Sequence, residues 1–362
     1  MISIRSLLAR STALAVPALA LTLSLGSAPA FAAAATPGHA ARTASVPAGV
    51  TFHSLTLLNG WVSSQGQFGT GSPRVGAANG VVYLAGSLHL PSGSNGHFAT
   101  LPAGYRPSHW LYLPVYSYAG AQGSLEITPA GKMYLFGGDT TGYSSLAGIS
   151  FPRTLASQPL SLLNGWQSAQ PIYTTGDPAV TVSHGVAYLS GSLEQPSPGS
   201  DTVAVLPPAA RPSHYLYLPI YTNDGGEGSA EIAPSGEVYV WGTGATQFSS
   251  LAGLSFPVTL TSGKLTLQNG WVPASGTGSP RVAVSGGIVY LSGSTWRASG
   301  TAKIFTMLPK AARPRHNLWL PVYTSGGTEG TLEITTAGAV SASGLSAPAF
   351  TSLAGIHFPS GS

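Results

Sequence analysis

The chain repeats an arginine and a histidine at a fixed spacing, and together these residue types can bind an anion. Each arginine stands directly before a proline, and a histidine follows it three residues later. Proline restricts the residue before it to extended backbone, so each guanidinium would be held in one direction. A guanidinium binds a carboxylate or phosphate through two parallel hydrogen bonds, or donates to loop carbonyls of its own fold. The candidate binding residues are Arg106 and His109, Arg211 and His214, and Arg313 and His316.

The three histidines would also bind a metal ion if they converged on one point. Convergence requires three repeats arranged about a three-fold axis, because the sequence contains no His-x-His or His-x-x-x-His pair. A histidine at one repeated position is more simply a hydrogen-bonded residue of a cleft or of the surface. We therefore predict no metal site and no cofactor.

Aromatic side chains form the second group with possible binding chemistry. Trp61, Trp166 and Trp271 each follow an Asn-Gly turn. A tryptophan at such a place either covers one end of a core, which is our prediction, or forms a platform that stacks on sugar rings. In a binding protein, exposed aromatic residues should gather with polar neighbours at one end of the molecule. The residues expected to do so are Tyr118, Tyr143, Phe248 and Trp296.

Acidic residues are too few to suggest a catalytic site. Glycoside hydrolysis usually needs two carboxyl groups that flank one bond, and the first repeat contains only Glu126 and Asp139. The sequence has no Gly-x-Ser-x-Gly motif and no cysteine. Glu126, Glu231 and Glu333 recur in all three copies and are expected to pair with the repeated arginines. The chain is predicted not to be an enzyme, and the alternative is a cryptic hydrolase whose carboxylate pair lies between repeats.

All these residues recur because the chain contains three copies of one module. The tripeptide Asn-Gly-Trp ends at Trp61, Trp166 and Trp271, with a period of 105 residues. Leu-Pro, Arg-Pro and Ser-Leu-Ala-Gly elements follow it in the same order in every copy. Self-similarity at a fixed period indicates a repeat architecture. The predicted modules are residues 51–153, 154–260 and 261–362.

The local pattern within each module is one of short strands and turns. The Asn79-Gly80 turn precedes a β-branched and aromatic run, residues 81–84. We predict an all-β fold of three tandem β-sandwich modules, jelly-roll-like, that pack together as a pseudo-trimer. A weaker period competes with this prediction, since Tyr83 and Tyr134 lie in similar segments 51 residues apart. Six units of about 50 residues would form a six-bladed, kelch-like β-propeller.

The ordered motifs resemble the C-terminal, receptor-binding module of many phage tail fibres. The shared series is Leu-Leu-Asn-Gly-Trp, Tyr-Leu-x-Gly-Ser, Leu-Pro-x-x-x-Arg-Pro and Ser-Leu-x-Gly-Ile-x-Phe, and it spans 57–151, 162–256 and 267–358. The resemblance implies a β-rich head, commonly trimeric, that contacts a cell surface. Tail fibres obtain three heads from three chains, whereas this chain carries three copies itself, which favours an exported bacterial protein that uses the same module.

The N-terminal segment predicts export. Arg5 precedes an apolar stretch, residues 13–25, and an Ala-Phe-Ala sequence ends at Ala32. Residues 1–32 are therefore predicted to be a signal peptide and residues 33–50 a flexible leader, with a secreted, extracellular location and no membrane insertion. Because cysteine is absent, stability must come from a packed core.

The charges differ sharply between the modules. The first module has four basic and two acidic residues. The second has one basic and seven acidic residues, and the third has seven basic and two acidic residues. Complementary charge sets the order in which neighbours pack, so we expect module–module packing within a monomeric chain. After signal removal 13 basic residues face 11 acidic ones, so nucleic acid is not an expected partner. We predict a secreted, non-catalytic binding protein for a glycan or another cell-surface polymer; the alternative is an architectural extracellular protein without a small ligand.

Overall fold

A computed structural model describes residues 49–197 and 199–360. The predicted signal peptide, 1–32, and the predicted leader, 33–50, lie outside the described residues apart from Gly49 and Val50. The described residues belong to one compact unit. Strands connected by turns make up nearly all of its regular structure, so the all-β prediction is confirmed.

Eleven strands occur in the same order in each repeat. The first repeat contains β1 (Thr51–Ser54), β2 (Val62–Ser63), β3 (Arg74–Ala78), β4 (Val81–Ala85), β5 (Ser87–His89), β6 (His97–Thr100), β7 (Leu111–Ser117), β8 (Gln122–Ile127), β9 (Lys132–Phe136), β10 (Ser144–Ser145) and β11 (Ser150–Pro152). The second contains β12 (Gln158–Pro159), β13 (Gln167–Ser168), β14 (Ala179–Ser183), β15 (Val186–Ser190), β16 (Ser192–Glu194), β17 (Thr202–Val205), β18 (Leu216–Tyr221), β19 (Glu227–Ile232), β20 (Glu237–Gly242), β21 (Ser249–Ser250) and β22 (Ser255–Pro257). The third contains β23 (Gly263–Lys264), β24 (Trp271–Pro273), β25 (Arg281–Ser285), β26 (Ile288–Ser292), β27 (Ser294–Arg297), β28 (Ile304–Met307), β29 (Leu318–Tyr323), β30 (Glu329–Ile334), β31 (Ala339–Ser343), β32 (Thr351–Ser352) and β33 (His357–Pro359).

Helices are short within the described residues. The two α-helices, α1 (Gln65–Phe68) and α2 (Gln170–Tyr173), have one turn each. The 3₁₀ turns are Ala103–Tyr105, Tyr118–Gly120, Pro208–Ala210, Asn223–Gly225, Lys310–Ala312 and Ser325–Gly327. None of the helices described is long and apolar enough to cross a membrane.

Alternation of side chains explains how the strands form two layers. In β7, Leu111, Leu113 and Val115 are buried, while the residues between them face the opposite side and are partly exposed. The Asn79-Gly80 turn joins β3 to β4 with positive φ at both residues, 53° and 78°, which is the backbone that a two-residue hairpin requires.

Sheet topology makes the whole repeat the folding unit. In the first repeat, β1, β3, β4 and β11 form one sheet, so its first and last strands lie in the same layer. The second layer has the order β2-β5-β10-β7-β8-β9-β6, and Val82 of one layer packs in the same core as Leu113 of the other. A six-bladed propeller would need a separate sheet in every half-repeat. In every repeat the last strand pairs with a strand of the first half, as β11 does with β4, and the propeller alternative does not predict this pairing.

Contacts between the repeats form a closed cycle. Strands β7, β18 and β29 touch one another pairwise. Ala252 of the second repeat belongs to the core of the first, Ala354 of the third to the core of the second, and Ala147 of the first to the core of the third. Each core is thus completed by the next repeat. An apolar cavity of about 70 Å³ lies where the three meet and takes equivalent residues from each, such as Leu113, Leu218 and Leu320.

A layer of tyrosines forms a second set of contacts among the three repeats. Tyr83, Tyr188 and Tyr290 occupy equivalent positions and are 3–6% exposed. All three belong to one buried cluster, which also contains Val81, Val186 and Ile288. His357 packs against Tyr290 and Tyr83, with ring centroids 6.1 and 6.2 Å apart. Because equivalent residues of all three repeats pack in this one buried cluster, the layer contributes to the mutual register of the repeats.

Candidate binding clefts between the repeats

The repeated arginines hold their own loops together. The Nε atoms of Arg106, Arg211 and Arg313 donate to the carbonyls five residues earlier, at 3.0, 3.0 and 3.1 Å. Each side chain also lies within van der Waals distance of a glycine turn of its own repeat, such as Gly131. Loop stabilisation by these guanidinium groups was one of the two roles that the sequence left open.

The repeated histidines lie at the joints between repeats. His109 contacts Gly176 of the second repeat, His214 contacts Gly278 of the third, and His316 contacts Gly71 of the first. Three separate joints therefore hold one imidazole each, so the three rings do not converge. No group of three or more His, Asp or Glu side chains suited to a metal ion occurs in the part of the chain that the structure describes.

The aromatic residues expected at the surface divide into two pairs. Tyr118 and Trp296 are 49% and 41% exposed, but they belong to the first and third repeats. Tyr143 and Phe248 are only 2% and 1% exposed, so the expectation that they form an exposed group is wrong. Phe248 packs on Tyr112 of the first repeat, with ring centroids 5.4 Å apart, because these side chains seal the joints between repeats.

Tyr143 seals a second joint in the same way. Its ring centroid lies 5.9 Å from that of Trp319, in the third repeat. By contrast, the tryptophans of the Asn-Gly-Trp motif lie inside the modules. Trp61, Trp166 and Trp271 are 3–4% exposed, and each indole N–H donates to a backbone carbonyl at 2.8–2.9 Å. Their predicted core role is confirmed.

Each joint carries a cleft, and in two of the three clefts the repeated histidine belongs to the lining. Cleft A, between the first and second repeats, has a volume of about 320 Å³, and its polar lining includes Ser108, His109, Arg153, Asp177 and Ser190. Cleft B, between the second and third repeats, measures about 310 Å³ and includes Ser213, His214, Ser262, Arg281 and Ser292. Cleft C, between the third and first repeats, measures about 340 Å³ and is lined by Gly49, Val50, Phe52, Arg74, Arg315 and Ser360.

The clefts share their position but differ in charge. Cleft A holds both a basic and an acidic residue, Arg153 and Asp177. In cleft B, Arg281 donates from Nε and Nη2 to Ser262, at 2.7 and 2.5 Å. The residues that line cleft C include two arginines and no acid. Ser108, Ser213 and Arg315 occupy the same repeat position, so one substitution contributes to this difference.

The repeated glutamates have neighbours other than the repeated arginines. Glu126 lies opposite Tyr112 in the β7–β8 pair, and burial raises its pKa. Glu231 lies opposite Tyr217 in the β18–β19 pair, and Glu333 accepts a hydrogen bond from the Ser341 hydroxyl at 3.3 Å. The predicted pairing with arginine is replaced by contacts with hydroxyl-bearing side chains on neighbouring strands.

One pair of carboxylates does couple across two repeats. Burial raises the pKa of Glu329 well above its usual range, and the charge of Glu227 raises it further. Both carboxylate oxygens of Glu329 are buried and have no hydrogen-bond partner among the residues that the structure describes. A general acid must come within about 3 Å of the group that it protonates. A carboxyl that is enclosed in this way does not reach a polymer substrate, so the pair does not support the hydrolase alternative.

Arg74 and Arg315 were not among the predicted site residues, because those residues were chosen for their recurrence in all three repeats. Most of the repeated residues serve packing, whereas these two arginines stand where at least one sister repeat has serine or alanine. The departure from the repeat was the signal that could have found them. No family model, curated protein or solved structure matches this chain.

Proposed function

We propose that this chain is a secreted, non-catalytic binding protein that recognises a glycan or another cell-surface polymer through its tail-fibre-like β modules. The supporting observation is a set of three clefts of about 310–340 Å³. Each lies at the equivalent position of a different joint between repeats. A polymer presents one chemical group many times. Several clefts on one rigid body bind several units together, which raises avidity well above the affinity of a single cleft.

The charge differences among the clefts favour binding over a purely architectural role. Packing needs the buried aromatic residues and the loop arginines, and these recur from repeat to repeat. Packing does not require an arginine at position 315. The equivalent residues of the other repeats are Ser108 and Ser213, and all three positions are exposed. Exposed charges that contribute little to stability are the ones available for recognition.

An array of glycans and cell-surface polymers tests the proposal with the chain that lacks residues 1–32. We expect retention of at least one polymer class. Ser108→Trp combined with Ser213→Trp fills clefts A and B from exposed positions and should weaken retention at least tenfold. Leu345→Trp is the matched control, because Leu345 is fully exposed and lines none of the three clefts. Folded protein that retains no polymer contradicts the proposal.

A further inference from the structure

Cleft C brings two arginines from different repeats to one surface. Arg74 lies on β3 of the first repeat, and Arg315 lies in the loop before β29 of the third. The remaining lining residues carry no charge: Gly49, Val50, Phe52 and Ser360. Two cations that face one cavity repel each other, and an anion placed between them converts this repulsion into attraction.

Arg74 also has hydrogen-bond donors without partners. Its Nε and Nη2 atoms are buried, and neither is hydrogen-bonded to another group within residues 49–197 and 199–360. Buried donors in native proteins are almost always satisfied by protein, water or an ion. These two N–H groups therefore need an acceptor that the described part of the chain does not supply.

The third repeat provides the comparison, because Arg281 occupies the position of Arg74. Arg281 is satisfied within the protein, since Ser262 accepts hydrogen bonds from both its Nε and its Nη2. The first repeat has Phe52 where the third has Ser262. The Arg74 Cζ atom lies 5.2 Å from the centroid of the Phe52 ring. An aromatic ring stabilises the flat face of a guanidinium, but the Phe52 side chain has no oxygen that could accept from Nε or Nη2 as Ser262 does.

We propose that cleft C binds an oxyanion, a phosphate or carboxylate group of the polymer ligand, between the guanidinium groups of Arg74 and Arg315. This inference rests on the function proposed above and gives it a ligand chemistry. A guanidinium presents two parallel N–H donors that match the spacing of two oxyanion oxygens. Lysine would lack this planar fork, so the choice of arginine at both positions suits the same ligand.

His316 lies close enough to report on an anion in this cleft. Burial lowers its pKa, and the charges of Arg74 and Arg315 lower it further. These are the charged groups that face His316 in the third and first repeats. A bound oxyanion offsets both positive charges, so it should raise the pKa of the imidazole.

Calorimetric titration with small probes tests the site on the chain without residues 1–32. Glycerol 1-phosphate and glucuronate should bind, whereas glycerol and glucose should not. Arg315→Ser and Arg74→Ala should each weaken binding at least tenfold; both use residues that stand at these positions in other repeats, Ser108 and Ala179. Lys310→Ala is the control, because it removes one exposed positive charge from the third repeat at a residue that lines none of the three clefts, and it should leave the affinity unchanged.

Two further measurements separate the possible outcomes. Addition of glycerol 1-phosphate should raise the pKa of His316, followed by NMR, and Arg315→Ser should abolish that rise. If inorganic phosphate binds with higher affinity than glycerol 1-phosphate, the site takes free phosphate, and the proposal that a polymer supplies the anion is overturned. Equal affinities of Arg315→Ser and Lys310→Ala for the probes overturn the site. If the two variants have equal affinities but the array still retains a polymer, the proposed function stands without the anion site. If the probes bind but the array retains no polymer, the proposed function fails and the anion site remains.

Discussion

The imidazole of His109, in the first repeat, lies against Gly176 of the second. A Cβ atom on Gly176 would stand 2.9 Å from Cδ2 of His109, closer than carbon atoms approach without displacement. The pairs His214–Gly278 and His316–Gly71 repeat the contact at the other joints. The last pair connects the third repeat back to the first, so the glycines let the three histidine loops close the cycle.

Gly176→Ala should lower the free energy of unfolding by about 1–2 kcal/mol, because an L-residue with a left-handed backbone carries a cost of that size. Gly176 has φ +76°, and the added methyl also displaces His109. Denaturant unfolding followed by tryptophan fluorescence measures the loss. Gly66→Ala is the control, since a Cβ at Gly66 would meet nothing within 4 Å. Equal stability of the two variants would show that this joint adapts freely.

Trp166→Ala should destabilise the protein by about 3–5 kcal/mol, the range for deletion of a buried large aromatic residue. Trp166 is 4% exposed, and its indole N–H donates to the carbonyl of Ser200 at 2.9 Å. Trp296→Ala serves for comparison, because Trp296 is 41% exposed and should change stability by less than about 0.5 kcal/mol. Thermal and denaturant unfolding measure both values. Unchanged stability with lost polymer binding in Trp166→Ala would assign that tryptophan to the ligand instead of the core.

Glu329→Gln should stabilise the protein at neutral pH by about 1–3 kcal/mol, because it removes an unsatisfied buried carboxylate. The equivalent residue of the first repeat is already glutamine, and the side-chain amide of Gln122 donates to the carbonyl of Gly226 at 3.3 Å. Asp201→Asn is the control at an exposed position of the second repeat and should leave stability nearly unchanged.

The pH dependence of Glu329→Gln has a defined sign. Burial raises the pKa of Glu329 in the folded state, so its protonated form favours folding. That contribution is fully present below the unfolded-state pKa of about 4.3 and is lost as pH rises through the folded-state value. Wild type and variant should therefore be equally stable near pH 4 and diverge towards pH 7. A constant difference across this range would mean that Glu329 stays ionised in the fold.

Alkaline pH should unfold the protein through its buried tyrosines. Burial is the main cause that raises the pKa values of Tyr143 and Tyr221 to about 12, whereas unfolded tyrosines ionise near pH 10. Folded-state stability is present below about pH 10 and is lost as pH rises through the higher folded values. Phenolate absorbance and loss of the circular dichroism signal should therefore change together above pH 10. Complete phenolate formation in protein that keeps its folded signal contradicts this prediction.

Small-angle scattering tests the closed cycle of repeats in solution. A compact particle of about 310 residues has a radius of gyration of about 19 Å. The cycle predicts this value, because each core includes an alanine from the next repeat. A rod-like profile with a clearly larger radius would show that the three repeats extend as a string.

Local sequence patterns determined the class of fold and much of the core. Alternating apolar residues and the Asn79-Gly80 turn specify strands and hairpins over a few residues, and the structure forms them at those positions. The buried place of Trp166 was predicted from its turn and its neighbours in the same way. These properties depend on interactions between residues close in sequence, so a single chain carries enough information to infer them.

Only the tertiary structure decided which repeated residues serve packing and which charged residues meet. Closure of the cycle buries Tyr143 and Phe248 in the joints, although both resemble exposed aromatics in the sequence. The same closure places Arg315 and Arg74 in the lining of one cleft, although they are far apart in the sequence. Neither arginine's own neighbourhood predicts the other, because the contact depends on how whole repeats pack and not on any local pattern of residues.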